Sequence, residues 1–166
     1  MIDHFARLAL PESHHRALAR LVALIPPTDL PWAVTGSVSL RLQGVDLPVH
    51  DIDLQTDQQT VYAIEKRLAD YMHTPVHLWE SPGMRSLDGK AAIDGVEIEL
   101  LANIAHKMPN GSWSTFTDFS RLIWIDLGDL RLATFPLEDE LVAYEAMGRA
   151  EKAALIRKTI ASLPKS

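Results

Sequence analysis

Two aspartates, Asp51 and Asp53, are separated by one isoleucine in the run Val49-His50-Asp51-Ile52-Asp53-Leu54-Gln55-Thr56. Val49, Asp51, Asp53 and Gln55 alternate with His50, Ile52 and Leu54. The run therefore reads as a period-two strand with both carboxylates on one face, ~7 Å apart along the chain. Two carboxylates that close repel each other once they are shielded from water, and one takes up a proton unless a cation is present. Mg²⁺ suits such a place, because it prefers a few carboxylates plus phosphate oxygens and water; Mn²⁺ accepts the same oxygen ligands. In two-metal phosphoryl chemistry the ions sit ~3.5–4 Å apart and share ligands, so a third carboxylate from a neighbouring strand is expected.

The stretch "GVEIELL" offers that third group. Glu97 and Glu99 alternate with Val96, Ile98 and Leu100, so both glutamates share a face of one strand. An acidic residue between aliphatic ones on an otherwise buried strand is costly without a partner. Glu99 is favoured as the third ligand, with Glu97 as its substitute. A further pair, Gly36-Ser37, closes the short apolar stretch "PWAVTG" and opens a helical one. A helix N-terminus presents free N–H groups and partial positive charge, which suit phosphate. Gly36 lets a ligand approach the backbone closely, and the Ser37 hydroxyl can donate to a phosphate oxygen or cap the helix. Arg41, one helical turn on, either reaches the same phosphate or is an ordinary surface arginine. His14-His15 are adjacent rather than four apart and make a poor metal pair. Trp79, Trp113 and Trp124 read as core or rim aromatics.

These residues need elements to hold them. A helix is expected over Glu12–Ile25, stopped by Pro26-Pro27. A strand ends at Gly36, and a helix capped by Ser37 follows over Val38–Gln43, with Gly44 as its stop. After the Asp-x-Asp strand, Gln58–Met72 reads as a helix with Val61, Ile64, Leu68 and Tyr71 on one side. "VHLW" is a short strand. Asp94-Gly95 is the sharpest turn signal, joining "SLDGKAAI" to "VEIELLANI" as a hairpin. "RLIWIDL" and "LRLATF" flank Gly128-Asp129 as arms of another. Past Pro136, two helical stretches rich in Ala, Leu, Glu and Lys lie around Gly148. Tight turns between the later strands call for antiparallel pairing, so the expected fold is an α/β (α+β) sheet of mixed direction with helices against one face.

Composition limits the partners. The chain has 166 residues, 47% of them hydrophobic, enough for one domain with a real core. It has no cysteine, which excludes disulfides and thiolate metal sites. The N-terminal stretch has no uninterrupted apolar region of signal-peptide type, and no run reaches the ~18 apolar residues of a membrane span. A soluble cytoplasmic protein with no membrane partner is expected. The formal net charge of −6 argues against a broad nucleic-acid footprint. It leaves room for a nucleotide, because a divalent metal neutralises both partners locally.

"GS" after a strand, "DIDL" beyond a short helix and an acidic residue on a later strand together resemble the nucleotidyltransferase superfamily of DNA polymerase β. "RSLDGKAAIDGVEIELLANIAHKMPNGSW" followed by "PLEDELVAYEAMGRAEKAALI" is similar to small bacterial nucleotidyltransferase-domain proteins, including the broader group of the aminoglycoside and lincosamide resistance enzymes. The resemblance spans roughly Trp32 to Ile156. It implies the nucleotidyltransferase fold, a nucleoside triphosphate such as ATP bound through Mg²⁺, and transfer of NMP to a hydroxyl with loss of pyrophosphate. On that resemblance Gly36 and Ser37 bind the β and γ phosphates, and Asp51 and Asp53 hold the metals. Glu99 ligates the catalytic metal and helps deprotonate the acceptor. Lys152, in the element Gly148-Arg149-Ala150-Glu151-Lys152, joins the nucleotide site. One departure is "VDLPVH", which precedes the Asp-x-Asp pair where many relatives carry a glycine-rich approach.

The expected organisation is a nucleotidyltransferase-like domain over 1–135 with a C-terminal helical extension, 136–166, packed on it. The expected function is Mg-dependent transfer of NMP to an acceptor hydroxyl, with a small-molecule acceptor favoured. The alternative is a non-catalytic nucleotide-binding or toxin–antitoxin-type subunit that needs a partner chain. The short chain leaves little room for an acceptor wall, which a homodimer or partner protein would supply.

Overall fold

The computed structural model describes residues 4–5, 8–115 and 117–164. Its elements run β1 (His4–Phe5), α1 (Glu12–Leu24), β2 (Trp32–Thr35), α2 (Gly36–Leu42), β3 (Ile52–Thr56), α3 (Gln58–Arg67), β4 (Met72–Glu80), β5 (Met84–Ile93), β6 (Val96–Lys107), β7 (Trp113–Ser114), β8 (Ile123–Leu127), β9 (Leu130–Thr134), α4 (Leu137–Ala146) and α5 (Ala150–Ser162). Among the described residues the strands form one mixed sheet in the order β1-β8-β9-β2-β3-β6-β5-β4, with β7 on the end of β6. β3 and β6 pair in parallel, whereas β2–β3, β4–β5, β5–β6 and β8–β9 are antiparallel.

Both expected hairpins form. Asp94 and Gly95 take φ of 50° and 79°, the left-handed pair that a tight two-residue turn requires. One face of the sheet, with Ile52, Leu54, Ile98 and Leu100, is buried against Leu18, Leu21 and Ile25 of the α1 segment and Val61, Ile64 and Leu68 of the α3 segment. The alternate residues of β3 and β6, Asp53 and Glu99 among them, face the other way. A second core joins Leu137, Tyr144, Ala153 and Ile156 of the last two helices to Leu40, Val45 and Leu47. Helices therefore lie on more than one side: α4 sits over the end of β2, where its Glu140 takes a hydrogen bond from Thr35. No helix among the described residues is long and apolar enough to cross a membrane.

Four element boundaries differ from the sequence reading. Ser37 is not a cap: Gly36, at φ +69°, already begins α2, Thr35 is the N-cap residue, and the Ser37 hydroxyl instead accepts a hydrogen bond from the His50 amide at 3.0 Å. β3 starts at Ile52, so Asp51 stands in a bend just before the strand. α3 ends at Arg67, and Met72 already belongs to β4. Tyr71 matched the helical period because it packs on the same core, but its carbonyl accepts from the Ala92 amide of β5. β4 is also longer than "VHLW", running from Met72 to Glu80.

Candidate functional site

The site is assembled along one row of the sheet. Thr35 is the register partner of Asp53, Asp53 of Glu99, Glu99 of Lys90, and Lys90 of Thr74, so the row crosses β2, β3, β6, β5 and β4. All five residues line one cleft of about 650 Å³. Asp53 and Glu99 stand at its centre and share a hydrogen bond, which the neutral form of Asp53 donates to the Glu99 carboxylate. Burial, then the charges of Glu99, Asp51 and Glu140, push Asp53 up to about 8. Glu99 is also raised, by burial and then by Asp88, with Lys90 pulling the other way.

Gly36 makes the seat for Asp53. A Cβ at Gly36 would overlap Asp53 Oδ2 and come within 3.2 Å of Cγ, and the φ of +69° would strain any L side chain. Behind this turn lies Glu140, 4% exposed on α4. The Thr35 hydroxyl donates to it at 2.7 Å, and the Ser39 hydroxyl and Gly36 amide donate to it as well. Burial lifts Glu140 to about 7 against the pull of these three donors. Glu140 thus ties the C-terminal helices to the turn that carries Gly36. The sequence reading missed it. The available signal was position: Leu137, Glu140 and Tyr144 are the buried residues of α4, at i, i+3 and i+7 of one stripe.

The cations lie on the same helices. Arg149 and Lys152 flank the Tyr144 ring at 5.7 and 5.8 Å, and Arg149 lines the cleft. Burial and then Arg149 lower the Lys152 pKa, while the charge of Asp53 raises it. Lys152 therefore stands within electrostatic reach of the central carboxylate. The Tyr144 phenol is raised by burial, by Glu140 and by Asp53.

The other sequence candidates fall in different places. Asp51 is exposed at the entry to β3, close enough for its charge to raise both Asp53 and Glu99. Glu97 shares the face of Glu99 but is bonded to His73 at 2.9 Å and does not line the cleft. Ser37 is 6% exposed, and its hydroxyl is engaged by the loop after α2. Arg41 faces away from the cleft: it donates to Ala9 O at 2.8 Å and Leu47 O at 3.1 Å and lies 3.8 Å from Asp46. The structure brings Gly36, Asp53 and Glu99 together in the cleft, sets Asp51 and Lys152 off its lining but within electrostatic reach of Asp53, and leaves Arg41 outside.

Whether these groups suit a divalent cation can be judged from their chemistry. Among the described residues no three His, Asp or Glu side chains already have the spacing of a metal site. Yet a carboxylate pushed to about 8 by burial and then by three neighbouring acids is a group that a hard cation would return to its ionised form. The donors are all oxygens, the set Mg²⁺ prefers. Asp51, Asp53 and Glu99 fit such an ion.

A family profile described as aminoglycoside-2''-adenylyltransferase matches residues 17–153. The crystal structure of a candidate nucleotidyltransferase from Thermotoga maritima is similar at a TM-score of 0.81 and 29% identity, over 95% of this chain and 98% of that one. The lincosamide antibiotic adenylyltransferase LnuA, solved with lincomycin bound, shares the fold at a TM-score of 0.61 and 16% identity, over 90% of this chain and 97% of that one. No curated protein sequence matches the chain.

Proposed function

The chain belongs to the aminoglycoside-2''-adenylyltransferase family, and from that premise we propose that it moves NMP from a nucleoside triphosphate to a hydroxyl of a small-molecule acceptor with the help of Mg²⁺. The observation that carries this reading is the register pairing of Asp53 with Glu99 directly beside Gly36. It gives a carboxylate pair seated against a turn that has no Cβ, with Lys152 of α5 within electrostatic reach of Asp53.

Asp51, Asp53 and Glu99 would hold Mg²⁺, which when bound neutralises these acids and the triphosphate together. The Gly36 turn, with no Cβ of its own, holds Asp53 against the phosphates, Ser37 stands beside it, and Lys152 with Arg149 offsets their charge. Glu99 accepts the proton of the acceptor hydroxyl. The acceptor oxygen forms a bond to the α-phosphorus as the bond to the β-phosphate bridge breaks, and pyrophosphate leaves. Arg41 takes a different part: it braces the loop between α2 and β3 that carries Asp51. An acceptor bearing amines, such as an aminoglycoside, fits a cleft that keeps a further acid, Asp88, beside the proposed metal ligands. On this reading 1–135 is the nucleotidyltransferase domain, and 136–166 is a helical extension that supplies Glu140 and Lys152. We place the reaction in the cytoplasm, where triphosphate and Mg²⁺ are both available.

The test is pyrophosphate release from ATP with kanamycin or lincomycin as acceptor, with Mg²⁺ and with chelator. Mg-dependent release that Asp53→Asn abolishes is expected. Transfer by the Asp53→Asn protein equal to wild type would overturn the assignment.

A further inference from the structure

β4 is one edge strand of the sheet, and it is not regular. Its register against β5 shifts between Thr74 and His77: four residues of β4, 74–77, face three of β5, 88–90. The extra residue changes which side chains share a face. In an unbroken strand Thr74 and His77, three apart, would point opposite ways. Here Thr74, His77 and Trp79 all line the cleft, while Val76 packs on the buried core. A bulge re-aims side chains in this way, and this one is built in. The Val76 amide donates to the Glu65 carboxylate of α3 at 2.5 Å. Gly89 on β5 makes room for the bulge, since a Cβ there would come 2.9 Å from Val76 Cγ2.

The re-aimed residues form a wall opposite the phosphate side. Thr35 and Gly36 lie on the β2 side of Asp53 and Glu99, and α4, which leads to Lys152, is anchored there by Glu140. β5 and β4 lie on the other side, with β4 two strand spacings, ~10 Å, beyond Glu99. Displacement at phosphorus is in line, so the attacking hydroxyl must enter opposite the departing pyrophosphate. That is the side of β4. Trp79 there is 39% exposed. Trp113 and Trp124 have their rings beneath Arg85 and Arg131, and Trp32 is core, whereas Trp79 borders the cleft. Beside it Asp88 accepts from Ser86, and the His77 Nδ1 lies 2.9 Å from Pro75 O, which leaves Nε2 as an acceptor when Nδ1 carries the proton.

We propose that the bulged edge strand is the acceptor wall of the transferase, with Trp79 as the surface on which a ring of the acceptor packs and His77 and Asp88 as its polar contacts. This rests on the reading of the cleft as a nucleotidyltransferase site and adds the side from which the acceptor enters. Wild type, Trp79→Ala and Trp79→Phe are compared for Mg-ATP binding by thermal shift and for acceptor KM and kcat with kanamycin and with lincomycin. Tryptophan fluorescence of the Mg-ATP complex is followed as each acceptor is added. The expected result is an acceptor KM raised about tenfold in Trp79→Ala, with kcat and the Mg-ATP shift unchanged, and recovery in Trp79→Phe. Weakened Mg-ATP binding with acceptor KM intact would put the nucleobase on this wall and overturn the assignment. So would kinetics unchanged in both substrates, or a wild type that binds Mg-ATP yet shows neither turnover nor Trp79-dependent quenching with either acceptor. Failure of wild type to bind Mg-ATP would instead strike the reaction itself.

Discussion

Asp53→Asn should make the metal-free protein more stable while removing its activity. The folded chain holds Asp53 at about 8, against 3.8 for an ordinary aspartate. The group is raised on folding, so its contribution to stability is greatest below pH ~4, where both states carry the proton, and is lost as pH rises towards 8. At pH 7 folding must draw a proton onto Asp53, which costs at most about 4 kcal/mol at ~1.4 kcal/mol per pH unit. Asparagine has the same shape, needs no proton and can still donate to Glu99. Relaxation of the cleft and water reaching it reduce the gain, and ~1–3 kcal/mol is expected, a Tm rise of roughly 3–10 °C for a chain of this size. The assay is thermal and urea unfolding of both proteins in chelator at pH 4.5, 6 and 8. The two curves should converge at the acid end and separate steadily above it. Mg²⁺ with ATP should then raise the wild-type Tm and leave the variant where it was. An Asn variant less stable than wild type at pH 8, or a gap that does not change with pH, would refute the account of Asp53 as a repelled, desolvated acid.

Gly36→Ala forces a Cβ against Asp53 Oδ2 and a left-handed φ on alanine; a loss of ~1–2 kcal/mol is expected in unfolding experiments, with ATP binding lost even where the fold survives. Glu140→Ala leaves three donors, two buried and one partly buried, without this acceptor and should cost ~1–3 kcal/mol, whereas Glu140→Gln should stay close to wild type at pH 7; urea unfolding distinguishes the two. Lys152→Met should raise the KM for Mg-ATP more than that for the acceptor, read from steady-state rates. Glu97→Gln should leave both rate and metal dependence unchanged, because the His73 contact holds this residue off the cleft; a dead Glu97→Gln enzyme would move the third carboxylate from Glu99 to Glu97.

Local chemistry was legible in the chain itself. The alternation of Asp53 with Ile52 and Leu54, the glycine at position 36 and the Asp94-Gly95 hairpin are written in residues a few positions apart. Steric limits on φ and the two-residue strand period act at that range. Glu97 and Glu99 were equivalent at that level, since both fall on one face of one strand. Only the parallel register of β3 on β6, two segments with α3, β4 and β5 between them, sets Glu99 against Asp53 and leaves Glu97 to His73. The same holds for Arg41, which sits at helical spacing from Ser37 yet is claimed by backbone carbonyls at Ala9 and Leu47. Glu140, more than a hundred residues from Thr35 in sequence, joins the site because α4 packs across the end of β2. The bulge that turns His77 and Trp79 into the cleft depends on Glu65 and Gly89 from two other elements. Turn and strand chemistry are short-range and were set by sequence alone. Strand register, the burial that raises Asp53 and the choice of which charges meet are properties of packed surfaces, and tertiary structure decided them.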